Sequence, residues 1–181
     1  MTRYIALLRG VNLGGHNKVA MADLRALLSK MGLADVQTVL QSGNAVFGCA
    51  AKSCAALERS LEAEVEKRLK LKIDFHVRTA GEWRAVIDAN PFPAEAQKDP
   101  GHLLLTCFKS PLEPVSVKTL RDAIEGREIL QADGRHLYMY FPDGIGRSKA
   151  APLVEKKLTA RGTARNWNTV LKLAELSNPE G

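Results

Sequence analysis

The sequence predicts an α+β fold built from two tandem halves, each an antiparallel sheet with helices packed on one face. Three observations predict it. Apolar residues switch between a period of two and helical spacing in the order β-α-β-β-α-β-α, and they do so twice. A proline-rich, polar stretch separates the two runs. Each run ends in a helix that leads into an Asn-Pro pair, Asn90-Pro91 and Asn178-Pro179. Residue identity between the halves is negligible, so the duplication rests on element order.

In the first half, "RYIALLR" at residues 3–9 is β-branched, aromatic and aliphatic enough for a buried strand. Met21, Leu24, Leu27, Leu28 and Met31 then recur at helical spacing, with Gly32 placed to stop the helix. "VQTVLQ" alternates as a strand, "SGN" turns it and "AVF" returns, which is a hairpin signal. Leu57, Leu61, Val65 and Leu69 mark a second helix opened by Ser53, with Glu58, Glu62 and Glu66 expected on its wet face. "KIDFHV" follows as a strand through Ile73, Phe75 and Val77. Thr79 and Glu82 form a capping-box pair for a short helix through Ile87, which ends before "NPFP".

"NPFP" and the polar "AEAQKDPG" after it read as a linker, and the order then begins again. "HLLLTCF" is a strand, and Val117, Leu120 and Ile124 lie on a helix after Ser116. "EILQ" and "HLYMYF" flank the turn "ADGR"; Leu153, Val154 and Leu158 lie on a helix; "GTARN" is short and extended; residues 169–176 are helical. In one chain this order folds as the ferredoxin-like arrangement, a four-stranded antiparallel sheet with two helices on one face. Two such units fit 181 residues: a first half over 1–90, a linker over 91–101 and a second half over 102–181.

Composition bounds the function. With 45% apolar and 25% charged residues the chain is globular, and only residues 177–181 are expected to lack order. "MTRYIALLRG" is too short and too closely flanked by Arg3 and Arg9 for a signal peptide, and no stretch approaches a membrane span, so the expected location is the cytoplasm. Cys49, Cys54 and Cys107 lack the paired spacing of a metal site, and the sequence implies neither a metal nor a cofactor. The net charge of +6 concentrates in residues 142–172, where seven Lys and Arg face only Asp143 and Glu155. That segment is either a solvated surface or a face for an anion or nucleic acid.

The polar loop after the first strand asks for an explanation. "RGVNLGGHNK" packs three glycines, two asparagines, an arginine and a lysine between a strand and a helix. In the ferredoxin-like topology the first strand's carboxyl end and the hairpin between strands two and three lie at the same end of the sheet. Arg9, Asn12, Asn17 and Lys18 should therefore meet Gln41, Ser42 and Asn44. Gly14 and Gly15 permit positive φ and a close backbone approach, and the helix beginning at Met21 offers unpaired N–H groups at its positive end. The set suits an anion, phosphate above all. The second half serves as an internal control, because its equivalent loop "KSPLEP" and hairpin "QADGR" do not repeat the pattern. Turn chemistry is the competing account, since Asn and Gly stabilise tight turns unaided.

A possible second site is "DGIGRSK", where Gly146, Ser148 and Lys149 resemble a P-loop loosely, or where Ser148 simply caps a helix. Arg165, Trp167 and Asn168 in "RNWN" offer either a stacking platform for a base or a capped helix with a packed tryptophan. His16 is either an acid or base or a solvated loop residue. His76, His102 and His136 read as structural or exposed. No spacing marks a nucleophile or a carboxylate pair, so no catalytic residue is assigned.

"ALLRGVNLGGHNKVAMADLRALL", "QTVLQSGNAVF", "NPFP", "YMYFPDGIGRSK" and "TARNWNTVLKLAEL" together resemble the bacterial family catalogued as domain of unknown function 1697. The resemblance runs from the first strand to the last helix. Family members typically carry lysine and proline where this chain has His16 and Ala20. The resemblance implies two ferredoxin-like halves and transfers no activity. Its motif positions include Gly10, Gly43 and Asn166 beside the candidates above.

The functional reading is a ligand-binding protein for a phosphate-bearing small compound or nucleotide. RNA or single-stranded DNA ranks lower, because aromatic residues amount to 6% and few beyond Tyr138, Tyr140 and Trp167 suit an open sheet face. An enzyme acting on a small polar metabolite and a protein-interaction module are the alternatives. Oligomeric state is not legible.

Overall fold

The computed structural model describes residues 1–178. Pro179 of the second Asn-Pro pair and the end of the tail expected to lack order lie outside the described residues. The chain forms two compact units, Met1–Ala85 with residues 172–178, and Val86–Leu171.

The first unit is a four-stranded antiparallel sheet of β1 (Thr2–Leu8), β2 (Ala34–Val39), β3 (Asn44–Cys49) and β4 (Phe75–Thr79), in the order β2-β3-β1-β4. Helices α1 (Met21–Lys30) and α2 (Cys54–Leu69) cover one face. Strand alternation decides which residues meet them: Tyr4, Ala6 and Leu8 of β1, Ala45 and Phe47 of β3, and Phe75 and Val77 of β4 form one core with Leu24, Leu27 and Leu28 of α1 and Leu57, Leu61 and Val65 of α2. Gly32 has φ +80° just after α1, as a helix stop requires. Ser53 caps α2 by accepting from the Ala56 amide at 3.2 Å. Helix α3 (Ala80–Asp88) opens on the expected capping box, with Thr79 N donating to Glu82 Oε2 at 2.8 Å and Glu82 N donating to Thr79 Oγ1 at 3.1 Å.

The wet face expected for Glu58 and Glu62 is corrected. Glu58 is buried and accepts from Val77 N at 2.8 Å, and half-buried Glu62 accepts from Phe75 N at 2.9 Å. The physical reason lies in the sheet edge. Strand β4 is outermost, so alternate amides point away from β1 with no strand to receive them. Glu66, one turn further on, is exposed.

The segment expected as a linker contains a helix, α4 (Pro93–Lys98), with proline at its first position. In the second unit β5 (Leu103–Cys107), β6 (Ile129–Asp133), β7 (His136–Tyr140) and β8 (Thr163–Asn166) form an antiparallel sheet in the order β6-β7-β5-β8. This repeats the first topology strand for strand. Helix α5 (Pro114–Asp122) starts on proline, two residues earlier than Ser116 suggested, and ends before Ile124. Helix α6 (Leu153–Leu158) has 6 residues against 16 in α2. Helix α7 (Trp167–Ser177) follows β8. Leu104, Met139, Leu120 and Leu158 belong to this unit's core.

Replacing Glu58 by alanine should destabilise the protein by about 2–3 kcal/mol, the value of a hydrogen bond to a charged acceptor whose donor is left buried. Glu66→Ala should stay within about 0.5 kcal/mol. Urea denaturation of the two variants measures the contrast.

Candidate functional site

Two valines anchor the loop between β1 and α1. Val11 and Val19 are buried in the first unit's core, and the residues between them stand outside it. That segment is a miniature hairpin. Asn12 N donates to Asn17 O at 3.2 Å, His16 N donates to Leu13 O at 3.0 Å, and Leu13 and His16 form a bridge. Gly14 and Gly15 are its turn, with φ +57° and +83°, the paired positive values that a two-residue hairpin turn demands.

Asn12 ties this hairpin to its surroundings. Its Oδ1 accepts from Val19 N at 2.9 Å, and its Nδ2 donates to Val19 O at 2.9 Å and to Gln41 O at 2.7 Å. The last bond joins the loop to the turn between β2 and β3, the neighbourhood expected from topology. Leu8 N reinforces it by donating to Gly43 O at 2.9 Å. Gly43 has φ +82°, and a Cβ there would stand 2.5 Å from Val11 Cγ2 and 2.8 Å from Leu8 Cβ. Only glycine lets the two segments lie this close.

The side chains expected to bind a ligand therefore divide into two groups. Asn12 is saturated, Asn17 Nδ2 donates to Gly10 O at 3.3 Å, and buried Asn44 donates to Val39 O at 2.8 Å and to Ser42 Oγ at 3.1 Å. These asparagines hold backbone. Lys18 and Gln41 are exposed, as is His16, while Arg9 is half-buried with its amide donating to Asp74 O at 3.0 Å. Helix α1 begins beside them at Met21 with no side-chain cap. No acidic residue occurs in residues 9–22 or 40–43, while Asp23 lies in the first turn of α1 and Asp74 precedes β4 beside Arg9.

The second set of candidates separates. Trp167 is buried and lies 6.3 Å from Tyr138 at a tilt of 49°, so it packs rather than offering a platform for a base. Asn166, not Asn168, caps α7, its Oδ1 accepting from Thr169 N at 3.0 Å; Asn168 is exposed. Arg165 is buried, and its guanidinium donates to Thr163 Oγ1 and Ala164 O at 2.8 Å each. Burial pushes its pKa down to about 10. Gly146 lies in a 3-10 turn (Ile145–Arg147), whereas Ser148 and Lys149 line a cleft of about 570 Å³. Ser148 Oγ accepts from Ala150 N at 3.0 Å and donates to Glu128. Arg127 and Glu128 also line this cleft, their one sequence signal being the short charged run "EGRE" between a helix and a strand, while Asp143 opens the stretch "DGIGRSK".

Among the described residues no three His, Cys, Asp or Glu side chains converge as a metal site, and no helix is long and apolar enough to cross a membrane.

Comparison with known proteins agrees with this architecture. The model of the family described as protein of unknown function, DUF1697, matches residues 1–138. No curated protein matches the chain. Among solved structures, the conserved bacterial protein SP0830 from Streptococcus pneumoniae is similar, with a TM-score of 0.76 at 24% identity over 98% of this chain and 99% of that one. That likeness shows the fold.

Gly43→Ala should cost about 3 kcal/mol or more, combining left-handed strain with the clash against Val11 and Leu8. Gly14→Ala has open space and should cost only about 1–2 kcal/mol from strain. Thermal unfolding of both variants tests whether close approach or turn conformation requires each glycine.

Proposed function

The chain belongs to the DUF1697 family, and from that premise we propose that it is a binding protein for a small phosphate-bearing ligand at the loop and hairpin of the first unit. One observation carries the reading. The Asn12 bond to Gln41 ties to the hairpin the loop that carries Arg9 and Lys18 and leads into the uncapped start of α1, which supports a shared site. An anion there would meet backbone N–H groups and positive charge that folding has already set in place. Charge-assisted hydrogen bonds contribute about 1.5–3 kcal/mol each, so three suffice for micromolar affinity after the cost of association.

Small ligands rank above nucleic acid because Tyr138 and Trp167 are buried and offer no face to a base. The cytoplasmic location belongs to this proposal, supported by three free cysteines. Exposed Leu13 at the loop tip and Leu40 on the hairpin favour a second reading, a protein contact at the same end.

Thermal unfolding against inorganic phosphate, nucleotides, sugar phosphates and short RNA tests the proposal. A ligand at a hundred times its dissociation constant adds about 2.7 kcal/mol, a shift of about 5–10 °C for a chain of this length. Arg9→Ala/Lys18→Ala should abolish the shift with inorganic phosphate. If the double variant responds as the parent does, the loop is not the anion site; if a Leu13→Asp variant alone alters oligomeric state, the protein contact takes its place.

A further inference from the structure

The second unit contains a cleft of about 570 Å³ whose chemistry differs from that of the loop. One wall is the chain between α5 and β6, and the other is the segment that follows β7. Two contacts tie the walls together. Arg127 forms an ion pair with Asp143, with Nε 3.3 Å from Oδ2. Glu128 accepts from Ser148 Oγ. The second carboxylate oxygen of Glu128 is buried with no hydrogen-bond partner among the described residues and would collide with a Cβ placed at Gly126. That carboxylate therefore lies close against the backbone of Gly126.

Those ties leave charges over. Arg147 and Lys149 are exposed on one wall, and among the described residues neither forms an ion pair. Glu125 is exposed on the other wall and is likewise unpaired among the described residues. The two cations suit a phosphate. The carboxylates of Glu125 and Asp143 repel a polyanion but accept hydrogen bonds from hydroxyl groups. Among the described residues no aromatic side chain lines the cleft, so it offers no ring for a nucleobase. The volume falls within the range of small-molecule sites.

We propose that this cleft binds a small phosphorylated sugar or polyol, with its phosphate on Arg147 and Lys149 and its hydroxyls on Glu125 and Asp143. The site is separate in sequence and in unit from the loop of the first half, and it does not depend on that loop's function.

Titration calorimetry of the full chain with glucose 6-phosphate, ribose 5-phosphate and glycerol 3-phosphate, beside glucose and inorganic phosphate, tests it. At least one phosphorylated polyol should bind about tenfold or more tighter than either fragment. Arg147→Ala/Lys149→Ala should weaken it by about tenfold or more and Glu125→Gln should narrow the preference over inorganic phosphate, both read in an Arg9→Ala/Lys18→Ala background that silences the loop. All substituted residues here are exposed or half-buried, and far-UV circular dichroism checks that each variant is folded. No binding of any polyol phosphate at roughly 10 mM, or equal binding of inorganic phosphate, overturns the proposal. Loss in the Arg9/Lys18 variant but not in the Arg147/Lys149 variant also overturns it, and leaves the loop reading standing.

Discussion

Three backbone N–H groups on the outer edge of β4 constrain the first unit more than any other feature. Thr79, Val77 and Phe75 point these donors away from β1, and Glu82, Glu58 and Glu62 receive them in turn. An exposed row of such donors invites pairing with another chain, and leaving them buried and unmet would cost more than most single contacts return. Two of the three acceptors belong to α2. The edge therefore fixes how far along the sheet α2 lies, which sets the register of Leu57, Leu61 and Val65 against Phe75 and Val77. The core and the edge are one solution, because a helix shifted by one turn would lose both.

The two units use the same topology with different emphasis. Arg78 on β4 and Arg165 on β8 stand at matching places, opposite Ile5 and Leu105, and each donates from a guanidinium nitrogen to the carbonyl of the preceding residue at 2.8 Å. Both are buried. A shared solution at a costly position is stronger testimony to duplication than residue identity, which has been lost. The halves differ in one covering helix and in the segments beyond the strand ends. The first has a long α2 and a stapled loop; the second has a short α6 and a charged cleft. Each half has kept the sheet and altered the segments beyond strand ends, where a change leaves the core untouched.

Element order and the meeting of loop with hairpin were legible because both follow from periodicity and topology. Tyr4, Ala6 and Leu8 alternate, Leu24, Leu27 and Leu28 recur as a helix, and the crossover of the first β-α-β unit then places residues 9–18 beside 40–43 without any knowledge of side-chain contacts. Glu58 was misread because helical spacing distinguishes faces by polarity, and a glutamate that serves a buried amide looks identical in sequence to one in water. The cleft was half legible for a related reason. Ser148 and Lys149 sit in a motif-like stretch, whereas Arg127 and Glu128 join them only through a turn whose path no periodicity describes.

The loop also separates two meanings of polarity that the sequence merges. Asparagine and glycine make up most of residues 10–17, and that density drew attention to a site. In the folded unit these residues serve the backbone: Asn12 and Asn17 satisfy carbonyls and an amide, while Gly14, Gly15 and Gly43 provide conformation and clearance. Such residues are poor ligands, since each bond they might give to a substrate is already made within the chain. Their contribution is rigidity. A loop held by Val11 and Val19 from below and by Asn12 from within has little backbone freedom left to lose. On the function proposed above, binding would fall to the charges at the margins of the motif, with the motif as their support.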